Sequence, residues 1–267
     1  MPLMNDAQTE CVELSKIDRV AQLTLNRPET LNALDLPTAR ELSGMLLALS
    51  TDPAIHGVII TGAGKAFSAG GDIKRALAHP HGPAAAFHEL ATHVHLCVTE
   101  IRRMRKPVIA AINGVAAGGG FSLALACDFR IMAATARLKQ GFTSNALCID
   151  AGGTFILPRL VGLARALEIA TFDEPIAANQ ALAWGLVTKV VSSEQLLEAA
   201  IQMARTIGEK SLHTFGWTKT LLTDAFDTPW EAQLEQERRG LVNCVAHADG
   251  LEGMRAFLEK RRPKYNQ

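Results

Sequence analysis

The sequence predicts an α/β domain followed by a helical region. Two observations carry this reading: strand-type and helix-type runs alternate through the first two thirds, and every patterned run from about Ser192 onward has helical spacing. With 267 residues, 48% of them apolar, the chain can bury a sizeable core. The expected division is 1–191 for the α/β part and 192–267 for the helices.

In chain order, "CVELSKIDRVAQLTLNRPE" alternates apolar and polar residues on both sides of a polar break, the pattern of a hairpin that ends at Pro28. "DLPTARELSGMLLALSTD" sets Leu36, Leu42, Leu46, Leu47 and Leu49 at roughly helical spacing, with Asp35 able to cap and Pro37 tolerated in the first turn. "HGVIITGAGKAFSAGGDIK" is a short β-branched strand that breaks into a glycine-rich loop. "GPAAAFHELATHVHLCVTEIRRMR" is helical, "KPVIAAING" is a buried strand, "GGGFSLALACD" is helical, and "FRIMAA" is again a strand. The helical region then opens with "SSEQLLEAAIQMARTIGEK". No low-complexity linker and no clean sequence repeat interrupts this order.

Charge and cysteine content narrow the function. Lys plus Arg equals Asp plus Glu, 27 against 27, so no overall field draws nucleic acid or an acidic membrane, and an anionic ligand must be held locally. Cys11, Cys97, Cys127, Cys148 and Cys244 are odd in number and scattered, which predicts core thiols in a reducing compartment, with no disulfide framework or structural zinc. "MPLMNDAQTECVELSK" has no long apolar or Arg-rich amphipathic stretch, so the expected location is the cytoplasm.

Two loops can hold one oxygen. The first turn of a helix leaves backbone N–H groups free, and glycine lets a ligand approach them. Gly118, Gly119 and Gly120 can therefore aim an N–H at a ligand oxygen, and "FSAGGDI" offers a second from Gly70 or Gly71, together an oxyanion hole. Tight strand-to-helix packing is the alternative use of such glycines.

"LNRPETLNAL", "GAGKAFSAGGDI", "KPVIAAINGVAAGGG", "CIDAGGTFILPRLVG" and "ALAWGLVTKVV" occur in the order and spacing of the enoyl-CoA hydratase/isomerase, or crotonase, superfamily, which the chain resembles from about Val12 to Arg262. The resemblance implies a ββα spiral core, C-terminal helices used in trimer assembly, and commonly a dimer of trimers. It implies an acyl-CoA substrate whose thioester carbonyl accepts hydrogen bonds from Gly71 and Gly119. It also places the coenzyme A moiety along Ala33 and along Ala69, Gly70, Asp72, Ile73 and Lys74, with Lys260 in the basic tail either a phosphate contact or part of a solvated helix end. No metal or redox cofactor is implied, since coenzyme A arrives with the substrate.

The chain departs from typical hydratases, whose two glutamates correspond to Ser122 and Phe142. Asp150 stands where they have glycine, either as a helix N-cap or as the single base used by relatives such as dienoyl-CoA and epoxyphenylacetyl-CoA isomerases. Burial among Phe142, Leu147 and Ile149 is expected to raise its pKa. His95 and Asp150 lie 24 positions before and 31 after Gly119, separations similar to the base histidine and nucleophilic aspartate of 4-chlorobenzoyl-CoA dehalogenases. Phe87 and Phe142 also fall at aromatic positions of those enzymes, whereas Val94 and Gly71 replace other aromatics. His88 and His93 are expected to face solvent. Three readings follow: an acyl-CoA isomerase or atypical hydratase with Asp150 as acid/base, an aryl-CoA dehalogenase with Asp150 as nucleophile and His95 as base, or a CoA-thioester- or RNA-binding protein without turnover. Neutral charge and the lack of aromatic-flanked basic stripes oppose RNA.

Overall fold

A computed structural model describes residues 10–267. Residues 1–9, part of the stretch read above for targeting signals, lie outside them. β1 (Val12–Ile17) and β2 (Val20–Leu25) form the expected antiparallel hairpin. α1 (Leu36–Thr51) is capped by Asp35, which accepts the Thr38 N–H at 2.9 Å, and it turns Leu42, Leu46 and Leu49 inward while Leu47 stays exposed.

Three successive units of two strands and helix follow. The first is β3 (Gly57–Gly62), β4 (Ala66–Ser68), α2 (Ile73–Leu77) and α3 (Gly82–Arg103). The second is β5 (Val108–Ile112), β6 (Val115–Ala117) and α4 (Gly119–Ala126), and the third is β7 (Phe129–Ala133), β8 (Arg137–Lys139) and α5 (Gly153–Phe172). β9 (Ile176–Ala177), α6 (Ala178–Ala183) and β10 (Lys189–Val191) close the sheets, before α7 (Leu196–Gly208), α8 (Leu212–Asp224), α9 (Trp230–Ala246) and α10 (Ala248–Leu258).

The first strand of each unit enters a six-stranded sheet of order β1-β2-β3-β5-β7-β10, parallel except for the hairpin. The second enters a four-stranded sheet of order β4-β6-β8-β9, whose β8 and β9 are antiparallel. This alternation is the ββα spiral. β3 and β5 are buried along their whole length, which is why they read as continuous apolar runs.

The short sheet and α5 were not legible from periodicity, although the resemblance implies a ββα core and a capping Asp150 would imply a helix after it. Strands of two or three residues are too short to show a period, and α5 contains Pro158 and a break at Gly162 (φ 76°, ψ 159°). The cysteine expectation holds for Cys97 and Cys127, which are buried; Cys148 is exposed, and Cys11 and Cys244 are half-buried.

The helical region does not stand apart from the sheet. Leu196, Ala200, Ile201 and Ala204 of α7 join the buried cluster that contains β3, β5 and β7. α8 is fastened by Lys219, whose Nζ lies 2.7 Å from Asp128 Oδ2 and donates to the Ile101 carbonyl at 2.6 Å. Burial pushes Asp128 up and Lys219 down from their ordinary values, against the pull of each charge on the other. Among the described residues no helix is long and apolar enough to cross a membrane.

Candidate active site

The two glycine-rich loops follow the carboxyl ends of β4 and β6, which pair in parallel in the four-stranded sheet, and ligands usually sit at the carboxyl ends of parallel strands. They lie against each other. Gly70 has φ 91°, and a Cβ there would fall 2.8 Å from the Ala117 carbonyl oxygen and 3.0 Å from the Gly119 nitrogen. Gly118 has φ 52°, and a Cβ on Gly120 would fall 2.5 Å from the Ser68 carbonyl oxygen. The triple glycine therefore serves different needs along its length: a backbone conformation at Gly118, close packing at Gly120, and at Gly119 an open first-turn N–H. Among the described residues, neither the Gly71 nor the Gly119 N–H has a hydrogen-bond acceptor. The Cβ direction of Gly119 ends 3.9 Å from the Gly71 nitrogen, so the two groups are neighbours.

α3 runs past both halves of the site. Phe87 reaches to 3.0 Å from the Cβ direction of Gly71, and Val98 to 3.4 Å from that of Gly152, roughly 16 Å apart along the helix. Between them His95 Nε2 lies 2.6 Å from Asp150 Oδ1. A carboxylate oxygen only accepts, so with Asp150 ionised the Nε2 carries the proton and donates. His88 is exposed as expected, whereas His93 is half-buried and accepts from Arg40 Nε at 3.3 Å.

The capping role for Asp150 is overturned. α5 begins after Gly152, without a side-chain cap, and the Asp150 carboxylate goes to His95. Instead "DAGG" closes a tight turn, the Gly153 N–H donating to the Asp150 carbonyl at 3.1 Å while Ala151 (φ 55°) and Gly152 (φ 77°) both occupy the left-handed region. These angles are those of a type I′ turn. Left-handed Ala151 costs about 1 to 2 kcal/mol, strain typical of a position where geometry matters more than local stability. The expected burial is also corrected: the Asp150 side chain is 42% exposed, His95 is 54% exposed, and Leu147 is exposed.

Ser122, one turn after Gly119, is fully buried beneath the same turn, its Oγ 2.7 Å from the Cβ direction of Gly153 and without a partner among the described residues. Phe142 is half-buried in a loop tied down by residues that sequence reasoning missed. Gln140 Oε1 accepts the Phe142 and Thr143 N–H groups at 3.0 and 3.2 Å. Asp173 accepts from the Gly141 N–H at 2.6 Å, the Ser144 N–H at 3.1 Å and the Ser144 hydroxyl.

Burial works to raise Asp173, but these donors outweigh it and hold its carboxyl below the usual range. A carboxyl lowered in the folded state adds stability that is present above its unfolded value near 4 and is lost as pH falls through its folded value. Asp173→Asn is therefore expected to cost about 1 to 3 kcal/mol at pH 7, the range for charge-assisted hydrogen bonds. Urea unfolding from pH 7 down to pH 3 should show the wild-type and variant stabilities converging; parallel curves would dismiss this role.

Of the residues expected to contact coenzyme A, Ala33 and Ala69 to Lys74 sit together, because Leu34 pairs with Gly71 as an isolated parallel bridge. Ile73 and Lys74 are exposed there, and Asp72 is already engaged by Arg75 N at 3.0 Å and Arg27 Nη2 at 3.1 Å. Lys260 is exposed just after α10, and no hydrogen bond or ion pair joins it to these residues within the described chain. A cavity of about 1130 Å³, with His56, Lys106 and Arg262 in its lining, lies at the opposite, amino-terminal end of β3 and β5 and holds none of them. Among the described residues no group of three or more His, Cys, Asp or Glu is placed to hold a metal.

The profile of the enoyl-CoA hydratase/isomerase family matches residues 16–267. The chain is 36% identical to 1,2-epoxyphenylacetyl-CoA isomerase of Escherichia coli K12, an alignment covering 94% of this chain and 97% of that protein. It is 37% identical to crotonyl-CoA hydratase of Syntrophomonas wolfei, over 96% and 98% of the two chains. Its fold superposes with a TM-score of 0.91 on the crystal structure of an enoyl-CoA hydratase from Polaromonas sp. JS666, at 35% identity and covering 95% of this chain and 99% of that one.

Proposed function

This chain belongs to the enoyl-CoA hydratase/isomerase family, and from that premise we propose that it isomerises an acyl-CoA with one acid/base group, Asp150. CoA-thioester isomerase or hydratase activity is common ground for its named relatives. The observation that favours a single base is the His95–Asp150 bond of 2.6 Å in a chain with Ser122 and Phe142 at the two glutamate positions.

The proposed chemistry begins with the thioester carbonyl accepting the Gly71 and Gly119 N–H groups. Asp150 takes a proton from one substrate carbon, the electron pair shifts through the conjugated system onto the carbonyl oxygen, and Asp150 returns the proton to another carbon. Fixed donors stabilise the charge on that oxygen without reorganising. His95, by donating to Asp150 Oδ1, orients the carboxylate. Ala33, Ala69, Gly70, Asp72, Ile73 and Lys74 are proposed to line the coenzyme A moiety, with Lys260 toward a phosphate. No step needs a metal or redox cofactor.

The division at residue 192 and the assembly are part of the same proposal. Leu222, Phe226, Trp230, Leu241, Phe257 and Leu258 leave apolar side chains exposed on α8, α9, α10 and the α8–α9 turn, which supports burial against other copies in a homotrimer or dimer of trimers. The five free thiols support a cytoplasmic setting.

The test is a panel of enoyl-, dienoyl- and 4-chlorobenzoyl-CoA esters with wild-type protein and His95→Gln. A double-bond shift by the wild type, lowered about tenfold or less in the variant, is expected for an orienting histidine. Halide release, with an aryl ester trapped in the variant on the peptide containing Asp150, would replace isomerisation by hydrolytic dehalogenation. No turnover of any ester would favour a binding role.

A further inference from the structure

We propose that Arg27 is a positioning residue that holds the Gly71 N–H in place, a reading that rests on the oxyanion role proposed above. Arg27 belongs to "LNRPETLNAL", a motif to which the chemistry assigns nothing but Ala33. Its side chain is only 10% exposed, and its guanidinium spans two segments. On one side Nη1 donates to the Ala33 carbonyl at 2.7 Å and lies 3.1 Å from Asp35 Oδ2. On the other, Nη2 donates to Asp72 Oδ2 at 3.1 Å.

Those two segments are the ones that bracket Gly71. The Leu34 N–H donates to the Gly70 carbonyl at 2.7 Å, and the Asp72 N–H donates to the Leu34 carbonyl at 2.9 Å. Gly71 is thus suspended between two backbone bonds to the short stretch that Arg27 grips. The grip is itself anchored, because the Arg27 N–H donates to Asn32 Oδ1 and Asn32 Nδ2 donates to the Ala63 and Ala66 carbonyls at 2.9 and 2.8 Å. The carboxylate end of the bridge stays charged: burial works to raise Asp72, but the Arg75 N–H and the Arg27 guanidinium outweigh it and hold it below the usual range.

A planar fork fixes the spacing of two segments in a way that a lysine ammonium does not. Buried ion pairs contribute little net stability over apolar replacements, so a geometric task accounts for this one better than stability does. A donor displaced by about 1 Å from the oxyanion it serves can cost on the order of 10²-fold in rate.

The experiment compares wild type, Arg27→Lys, Asp72→Asn and the variant carrying both changes, each with butyryl-CoA. The readouts are α-proton exchange in deuterated water and the infrared carbonyl frequency of bound [1-¹³C]butyryl-CoA. Wild type should lower the carbonyl frequency and exchange protons. Both single variants should lose most of the frequency shift and about 10²-fold in kcat; for Arg27→Lys, which alters no residue proposed to line coenzyme A, KM should change less than ~3-fold, because a misaimed donor is felt mainly in the transition state. The double variant should be little worse than either single one, as for two ends of one bridge. If Arg27→Lys does not fold, the near-isosteric Asp72→Asn carries the test alone. Full exchange and an undiminished carbonyl shift in folded variants would overturn the role of Arg27 while leaving the oxyanion reading intact. Wild-type protein that neither shifts the carbonyl nor exchanges protons would overturn both.

Discussion

Asp150→Asn should leave a folded protein that still binds acyl-CoA but no longer exchanges substrate α- or γ-protons with deuterated water. The loss expected for removing a general base is about 10² to 10⁴-fold. The structure sharpens this test, because Asp150 does not cap α5 and, among the described residues, its carboxylate has one side-chain partner, His95. Asparagine preserves the shape and, through its own oxygen, the bond from His95 Nε2. The type I′ turn depends on the backbone of Ala151 and Gly152, which the substitution does not touch. Folding should therefore be unchanged by circular dichroism and thermal unfolding. Exchange at the wild-type rate would transfer the base role to His95, the only other titratable side chain bonded to this carboxylate among the described residues.

The second large effect is expected at Gly119. Gly119→Pro deletes one N–H and should cost about 10² to 10³-fold in kcat, the 2.7 to 4 kcal/mol typical of a lost oxyanion donor. Gly119 is the first residue of α4, where proline is well accommodated since its N–H has no helical partner. The preceding Gly118 (φ 52°, ψ −125°) is outside the helical region that a following proline disfavours. Gly119→Ala keeps the N–H, and the atom its Cβ approaches most closely outside the adjoining chain is Leu34 Cδ1 at 3.6 Å, so it controls for folding. A folded Gly119→Pro protein with wild-type turnover would remove Gly119 from the mechanism.

Several features were legible because they are local. The hairpin, α1 with its Asp35 cap, and the buried strands β3, β5 and β7 follow from periods and capping chemistry that act over a few residues. That Ser122 and Phe142 are not carboxylates is a sequence fact, and set beside the resemblance to hydratases it turns attention to Asp150. Asp150 itself shows the limit. Asp before Ala-Gly-Gly suits both a cap and a turn, and the choice was made by left-handed Ala151, which a local rule for alanine would not favour.

By itself the sequence determined the alternation of strands and helices, the helical end of the chain, the glycine-rich stretches, and the types of side chain available for chemistry. Tertiary structure alone decided that second strands of two or three residues leave the main sheet to build another, that the Gly70 and Gly118 loops touch, and that Arg27 and Asp173 tie down neighbouring loops. It also decided that His95 meets Asp150 across 55 positions. The physical reason is range: propensity, periodicity and capping act within one or two turns of chain, whereas these pairings form only when α3, α4 and α5 pack on a common core and bring distant backbone within a few ångströms.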